Sequence, residues 1–362
     1  MTAPQPRPGI LGIASYVPGL AALSGHDKVM RLSSNEGALG PSPRAISAYA
    51  EAAREIGRYP DGGSVGLRAA IAARYGLDAE RIVCGCGSDD LIHLMAKSYA
   101  GEGDEMLHSE HGFLVHIIAA RGAGAEPVSA PEVDLTASVD ALLARLTPRT
   151  RMLFLANPNN PTGTYLGRAA LERLHAGLPE DVMLVIDAAY AEYVTAADYE
   201  PGTSFVEAFD NVVMLRTFSK IHALAGLRLG WVYCPAAVAD VLNRIRAPFS
   251  VSLPAQAAAV AALEDTDFIA RSIAHNERWR DWLTQELRAI GLEVPPSVAN
   301  FVLVRFAGAD GRDAAAANAH LNDRGIIPRE IGAYGLPDCL RISIGTEEEM
   351  RAVRDALAEF MA

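Results

Sequence analysis

Short hydrophobic runs alternate with helical stretches between residues 81 and 234. Several runs are apolar at every position, as expected for strands that are covered on both faces. Alternation of such runs with helices is typical of a parallel sheet wrapped by helices. We therefore predict a large α/β domain over residues 41–247. Its candidate strands are 81–86, 105–110, 151–157, 182–188, 211–217 and 227–234.

The pattern changes after residue 247. Pro248 and Pro254 interrupt it, and one long helical stretch follows from Ala255 to about Ile290. The runs NFVLVRF, GIIPRE and LRISIG are three further strand candidates, and a C-terminal helix is expected from Thr346. These elements predict a smaller α+β domain over residues 248–362. Residues 1–40 are rich in Pro, Gly and Ser, and we expect them to form an N-terminal arm that lies over another surface.

The composition narrows the class of function. A net charge of -12 disfavours binding to nucleic acid or to an anionic membrane, because both require a basic patch. No run approaches the roughly 20 apolar residues of a membrane span, and the first residues do not resemble a signal peptide. The four cysteines and nine histidines lack metal-binding spacing, so we expect no metal. We predict a cytoplasmic protein that acts on small molecules.

Ligands of an open parallel sheet gather outside the carboxyl ends of its strands. Gly87, Ser88 and Asp89 follow the first candidate strand and open a helix, whose free N–H groups suit a phosphate. A plain helix cap remains an alternative. The turn PNNPTG follows the third strand, and an amide of Asn157, Asn159 or Asn160 could donate to a ring oxygen of a cofactor or only to its own turn.

Asp187 ends a strand that is apolar throughout, and Tyr190 follows three residues later. A carboxylate there is costly to bury unless it is paired with a cation. The cation could be a protonated pyridine nitrogen or a structural arginine. These residues alone do not distinguish the two possible partners of Asp187.

Lys220 follows the fifth candidate strand, and the other lysines are only Lys28 in the arm and Lys97 in a helix. An amine that attacks an aldehyde must be deprotonated, and burial beside the cation of Arg228 would lower its pKa. Arg341 in LRISIG could bind a substrate carboxylate through two hydrogen bonds, or form a surface ion pair.

Seven segments together resemble the histidinol-phosphate aminotransferases of fold type I. They occur in the family's order over nearly the whole chain, and PNNPTG with SK followed eight residues later by Arg is the most specific part. The segments are NEGALGPSP, YPDGG, GCGSDDLI, PNNPTG, DAAYAEY, TFSKIHALAGLRLGW and YGLPDCLRISIGTEEE. The resemblance implies a large domain with a mostly parallel sheet, a smaller α+β domain, and pyridoxal 5'-phosphate as cofactor.

The resemblance also implies roles for individual residues. Lys220 would be the Schiff-base lysine and the proton shuttle, Asp187 would pair with the pyridine nitrogen, and Tyr190 and Asn160 would bind the ring hydroxyl. Phe113 would stack on the ring. The remaining roles fall on residues that would hold the cofactor phosphate, namely Gly87, Ser88, Asp89, Ser219, Arg228 and, from the other subunit of a homodimer, Tyr59.

Substrate binding is implied for Arg341, which would hold the α-carboxylate, for Asn160, and for Arg329 and Tyr16 near the substrate. Two positions depart from the family pattern, because Ala223 stands where Gly is usual and His116 where Tyr is frequent. The expected reaction is the transamination of histidinol phosphate with 2-oxoglutarate. An aromatic amino-acid aminotransferase is the alternative, and a threonine-phosphate decarboxylase is a more distant one. A regulator that binds the cofactor without turnover is disfavoured because the chain is acidic.

Overall fold

The computed structural model describes residues 4–15, 19–20, 22–308 and 311–362. Its α-helices are α1 (Pro43–Ala52), α2 (Val65–Tyr75), α3 (Ser88–Tyr99), α4 (Leu114–Ala123), α5 (Val139–Ala144), α6 (Arg168–Ala176), α7 (Thr203–Ala208), α8 (Ala236–Ile245), α9 (Leu253–Glu264), α10 (Thr266–Ala289), α11 (Ala314–Asn322) and α12 (Glu347–Met361). Its strands are β1 (Met30–Arg31), β2 (Ile82–Gly85), β3 (Glu105–Ser109), β4 (Glu126–Ala130), β5 (Glu132–Val133), β6 (Thr136–Ala137), β7 (Thr150–Ala156), β8 (Met183–Asp187), β9 (Val212–Thr217), β10 (Gly230–Tyr233), β11 (Phe301–Arg305), β12 (Ile326–Ile327), β13 (Arg329–Glu330) and β14 (Cys339–Ser343).

A seven-stranded sheet in the order β2-β10-β9-β8-β7-β3-β4 forms the centre of the large domain. Its neighbouring strands are parallel, except that β10 runs antiparallel to β2 and β9. All six predicted strands are confirmed. The sequence did not reveal β4, whose half-polar pattern and Pro127 suit the edge of a sheet. The antiparallel direction of β10 was also missed, because an apolar run does not encode direction.

Helices cover both faces of this sheet. On β9, Val212 and Met214 pack on one face, in a core that includes side chains of α2, α5, α6, α7 and α9. Val213 and Leu215 pack on the other face with side chains of α3, α4 and α8. Burial on both faces explains why the strands are apolar at successive positions.

A smaller antiparallel sheet in the order β11-β14-β13 lies in the C-terminal part, and β1 pairs in parallel with β12. The three strand predictions are confirmed, although GIIPRE forms two separate strands on either side of Pro328. Helices α10, α11 and α12 supply most of the helical side chains of this core. Thr346 caps α12 in a reciprocal capping box, as the predicted helix start requires.

The single helix predicted from Ala255 to about Ile290 is wrong. The chain leaves helical geometry at Asp265, whose carboxylate accepts a hydrogen bond from the Phe268 N–H and so caps α10. Helix α9 packs Ala255 and Ala258 into the core of the large sheet, whereas α10 contributes Leu283 to the C-terminal core. The domain boundaries at 40 and 247 stay predictions.

The arm contacts the end of α4. Arg7 donates hydrogen bonds to the carbonyls of Gly122 and Ala123, and Arg121 donates to Gly12 O at 3.1 Å. Arg7 thus binds carbonyl oxygens at the C-terminus of α4, and Arg121 lies in the last turn of the same helix. Cations are favoured at this end of a helix. In the part of the chain that the structure describes, none of the helices combines the length and apolar composition needed to span a bilayer.

Candidate active site

A cavity of about 260 Å³ lies where the carboxyl ends of β2, β7, β8 and β9 meet the start of β10. Most predicted site residues line it, which is the geometry expected of an open parallel sheet. These residues are Ser88, Asp89, Phe113, Asn160, Asp187, Tyr190, Ser219, Lys220, Arg228, Arg329 and Arg341. Gly87 lies next to it as the N-cap of α3. Tyr59 does not line the cavity, and Tyr16 lies outside the described residues.

Lys220 follows β9 and carries its amine into this cavity. Its Nζ donates a hydrogen bond to Ser34 O at 3.0 Å and lies 5.6 Å from the centre of the Tyr190 ring. The pKa of Lys220 is lowered to about 8, chiefly by burial, then by the charge of Arg341 and, to a smaller extent, by that of Arg228. The predicted direction is therefore confirmed, but burial and Arg341 contribute more than Arg228. Near pH 8 the amine is deprotonated often enough to act as a nucleophile or base.

The N-terminus of α3 forms one wall of the cavity. Gly87 has φ +88°, and no side chain caps the first N–H groups of the helix. A Cβ on Gly87 would lie 2.4 Å from Arg228 Nη2, and a Cβ on Gly230 would lie 2.3 Å from Ser88 N. Only glycine allows the backbones of β10 and α3 to approach this closely. The wall therefore presents backbone donors beside an arginine, which fits a phosphate group.

Arg228 precedes the antiparallel strand β10, and this direction brings it to the carboxyl edge of the sheet. Its guanidinium lies 3.4 Å from both Ser219 Oγ and Asp89 Oδ2. Burial raises the pKa of Asp89, whereas the charge of Arg228 opposes that shift. A dianionic phosphate at this place would meet Arg228, Ser219 and the α3 N–H groups together.

Asp187 ends β8 with only 4% of its surface exposed. Its Oδ2 lies 3.4 Å from His116 Nε2, and its Oδ1 accepts a hydrogen bond from Ala189 N at 3.3 Å. His116 stacks on Phe154 with ring centres 4.6 Å apart and meets Phe113 edge-on. Within the described ranges no arginine forms an ion pair with Asp187, and His116 is the polar side chain beside it, so the alternative of a structural arginine is wrong. Asp187 also faces the cavity, where it can pair with a cationic ring nitrogen.

Arg341 is buried in the middle of β14, which contradicts the alternative of a surface ion pair. One guanidinium nitrogen donates to Asn160 Oδ1 and the other to Ser33 O at 2.6 Å. The bond to Asn160 Oδ1 leaves the amide N–H₂ of Asn160 to face other partners. The same guanidinium lines the cavity, where it can bind an anionic group of a substrate.

The segment Ser33–Glu36 was not identified as functional from the sequence. Successive residues contact Arg341, Lys220 and Tyr190, because Asn35 Nδ2 donates to the Tyr190 hydroxyl at 2.9 Å. The polar run SSNEG directly after the short strand β1 is a signal that could have indicated it. The prediction of an N-terminal arm over residues 1–40 did not distinguish this segment from the rest of the arm.

Residues 27–357 match the family described as aminotransferase class I and II. The chain belongs to the class I and II aminotransferases. It is 59% identical over 361 residues to a histidinol-phosphate aminotransferase of Paramagnetospirillum magneticum, which covers 100% of this chain and 99% of the relative. A protein with the same name from Rhodospirillum centenum is 61% identical over the same shares. A histidinol-phosphate aminotransferase of Sinorhizobium meliloti, solved with pyridoxal 5'-phosphate, has a TM-score of 0.86 and 30% identity over 92% of this chain and 91% of its own.

The class I and II aminotransferase fold accounts for the architecture, and pyridoxal 5'-phosphate is the cofactor of the enzyme. The side chains around the cavity fit that group. The helix N-terminus and Arg228 suit its phosphate, Asp187 suits its ring nitrogen, and Lys220 suits its aldehyde. The individual residue roles carried over from the family pattern stay predictions.

Proposed function

We propose that the enzyme is a histidinol-phosphate aminotransferase that uses 2-oxoglutarate and glutamate as the second substrate pair. The observation that carries this proposal is identity near 60% over the full chain to proteins of that name. The cavity supports it, since Lys220 faces Arg341 across a space that can hold an anionic amine. The same relatives favour this activity over an aromatic amino-acid aminotransferase and a threonine-phosphate decarboxylase.

When bound, the cofactor supplies an electron-withdrawing ring that accepts electrons from the substrate Cα. Asp187 would stabilise a positive charge on the ring nitrogen, and Lys220 would accept the proton of the substrate Cα and act as the proton shuttle. The lowered pKa of Lys220 suits both directions of this transfer. Tyr190 and Asn160 would bind the ring hydroxyl, and Phe113 would stack on the ring.

Arg341 is the proposed anchor for the acidic group beside the reacting carbon. In glutamate that group is a carboxylate, and in histidinol phosphate a phosphate reaches the same guanidinium. Arg329 also lines the cavity and is the proposed partner of the distal carboxylate of glutamate. We expect Arg341→Gln to raise KM about 10-fold or more for both substrates, because a charge-assisted hydrogen bond is lost. Arg329→Gln should affect glutamate more strongly, and stopped-flow rates of the two half-reactions would separate the effects.

Substrate choice is tested by comparing kcat/KM for histidinol phosphate and phenylalanine, each with 2-oxoglutarate. A higher value for phenylalanine would contradict the proposal, and release of carbon dioxide would indicate a decarboxylase. The lysine assignment has its own test. Borohydride reduction of the enzyme, followed by peptide mapping, should label Lys220, whereas a label on Lys28 or Lys97 would overturn it. The cytoplasmic location stays a prediction.

We also propose a homodimer in which Tyr59 reaches the cofactor phosphate of the other subunit. Tyr59 is 81% exposed and stacks on Phe249 with ring centres 4.5 Å apart. Ile46, Ile56 and Val65 are exposed on neighbouring parts of the chain, so this surface offers apolar area to a second copy.

Subunit complementation tests the shared site. Tyr59→Ala and Lys220→Ala should each be inactive or nearly so as separate homodimers. After mixing and re-association, one of the two sites in each hybrid carries no substitution, so activity should return to about a quarter of wild type. No recovery in hybrids whose formation is verified by native mass spectrometry would show that Tyr59 serves its own subunit or none.

A further inference from the structure

Asn35 lies between the C-terminal sheet and Tyr190, and only 1% of its surface is exposed. Its backbone N–H donates to Ser343 Oγ at 2.8 Å, and its carbonyl accepts from Asn300 Nδ2 at 3.0 Å. Its side-chain Oδ1 accepts from Ser343 Oγ at 3.2 Å, and Nδ2 donates to the Tyr190 hydroxyl at 2.9 Å. Every polar group of Asn35 therefore has a partner, and these partners fix its position.

The hydrogen bonds of Ser343 determine which way the Asn35 amide points. Ser343 Oγ already accepts the backbone N–H of Asn35, so its own proton requires an acceptor. Asn35 Oδ1 provides that acceptor, which turns Nδ2 toward Tyr190. With the amide reversed, two donors and no acceptor would face Ser343. The observed orientation is the one that satisfies all groups.

The amide N–H of Asn35 determines which way the hydroxyl proton of Tyr190 can point. The tyrosine oxygen accepts from Asn35 Nδ2, so its own proton cannot point to Asn35 and is available to a different acceptor. Tyr190 lines the cavity, and burial raises its pKa to about 12, which keeps the hydroxyl protonated. The remaining direction for the proton is into the cavity.

The geometry points to Asn35 as a positioning residue that fixes Tyr190 as a hydrogen-bond donor toward the ring oxygen of the cofactor. This inference rests on the proposed function, in which Tyr190 faces that oxygen. A donor there would stabilise negative charge on the ring oxygen. It would therefore lower the pKa of the proton that this oxygen shares with the nitrogen of Lys220 when the cofactor is bound. Asn35 acts only through Tyr190.

The backbone of Asn35 has φ +56°, a left-handed conformation that Asn, Asp and Gly adopt more readily than other residues. Asn35→Asp and Asn35→Gly are therefore suitable variants. Asn35→Asp keeps the shape but replaces the N–H₂ donor with an acceptor, so the Tyr190 proton should turn away from the cofactor. Asn35→Gly removes the donor without adding charge.

The experiment is an absorbance pH titration of the holoenzyme in a double-mutant cycle with Tyr190→Phe. We expect Asn35→Asp to raise the titration midpoint of the bound cofactor by about one pH unit more in the wild-type background than in the Tyr190→Phe background, because only the former has a hydroxyl to redirect. Equal shifts in both backgrounds, or no shift in either, would overturn the inference.

If Asn35→Asp does not fold, Asn35→Gly takes its place in the cycle, with a smaller upward shift expected that is absent when Tyr190→Phe is present. The matched control is Asn211→Asp, since Asn211 bonds His175 and Val182 away from the cavity and should leave the midpoint unchanged. A wild-type protein that binds no cofactor would overturn the proposed function. A wild-type protein that binds cofactor, with variants that show no coupling, would overturn the role of Asn35 alone.

Discussion

His116 Nε2 lies 3.4 Å from Asp187 Oδ2, and both side chains are buried against the sheet. His116 is held in place by stacking on Phe154, so it fixes the carboxylate on the side away from the cavity. Asp187 therefore has a polar neighbour that does not line the cavity.

We expect His116→Phe to weaken cofactor binding by about 10-fold, because the buried carboxylate of Asp187 loses its polar neighbour at 3.4 Å. The ring packing on Phe154 should be largely kept. Equilibrium binding of pyridoxal 5'-phosphate to the apoenzyme measures the effect. His175→Phe is the control, since His175 bonds Asn211 far from Asp187. Equal affinity of His116→Phe and wild type would show that Asp187 does not depend on this contact.

Because the pKa of Lys220 is lowered to about 8, the reactivity of its amine in the apoenzyme should change near this pH. The deprotonated amine is the reactive form, so labelling of Lys220 by an amine-specific reagent should increase as pH rises through about 8. Between this value and the ordinary lysine pKa the unfolded chain binds more protons, so this group also makes stability rise with pH in that window.

Glu36 lines the cavity, and its charge raises the pKa of Lys220. Glu36→Gln should therefore move the labelling midpoint to lower pH. Peptide mapping against pH gives the midpoint, and Glu51→Gln on the exposed face of α1 is the control. An upward shift on Glu36→Gln would contradict the electrostatic assignment.

Ala223 has φ +54°, a left-handed conformation that costs a residue with a Cβ about 1 kcal/mol. This explains in physical terms why a family pattern with Gly fits here. Ala223→Gly should stabilise the apoenzyme by up to about 1 kcal/mol, partly offset by the greater freedom of Gly in the unfolded chain. Urea unfolding measures the change. Ala352→Gly, within α12, should instead destabilise.

Gly37 packs against the same residue, since a Cβ on Gly37 would lie 2.7 Å from Ala223 Cβ and 3.2 Å from Lys220 O. Gly37→Ala should lower the free energy of unfolding, and less so when Ala223→Gly is also present. Additive effects of the two substitutions would contradict this contact.

Gly230 allows the close approach between β10 and the N-terminus of α3, which forms the cavity wall proposed to bind the cofactor phosphate. Because the obstacle to a Cβ there is the backbone of Ser88, a side chain cannot rotate away to make space. Gly230→Ala should reduce cofactor affinity by about 100-fold and destabilise the apoenzyme by about 1–3 kcal/mol. Gly226→Ala is the matched control, because a Cβ there meets no atom within 4 Å. Normal affinity in Gly230→Ala would show that the wall tolerates displacement.

The sequence predicted the central strands because burial on both faces leaves a clear signal in apolar runs. It also predicted which side chains meet, since residues such as Asp187 and Lys220 follow parallel strands at one edge. It could not predict that β10 is antiparallel, yet this direction is what brings Arg228 to the same edge. Strand direction depends on connections and packing, which composition does not record.

The contacts of Asn35 and His116 escaped prediction for a different reason. Asn35 meets Ser343 across a separation of 308 residues, and no periodicity relates such distant positions. His116 was identified only as a departure from the family pattern, because the sequence of α4 does not indicate which face of the helix lies against Asp187. Similarly, the break at Asp265 required the knowledge that α9 and α10 pack in different cores.

The pairing of β1 with β12 has a consequence for how the enzyme is made. Met30 and Arg31 leave the ribosome long before Ile326 and Ile327, with which they pair, because the two strands lie far apart in the chain. Until β12 is made, the segment Ser33–Glu36 lacks the strand pairing beside it, and Lys220 and Tyr190 lack the contacts that a fixed segment provides. All strands of the large sheet precede β12 and β14 in the chain, so this sheet can form before the catalytic cavity, which also requires Arg341, is complete.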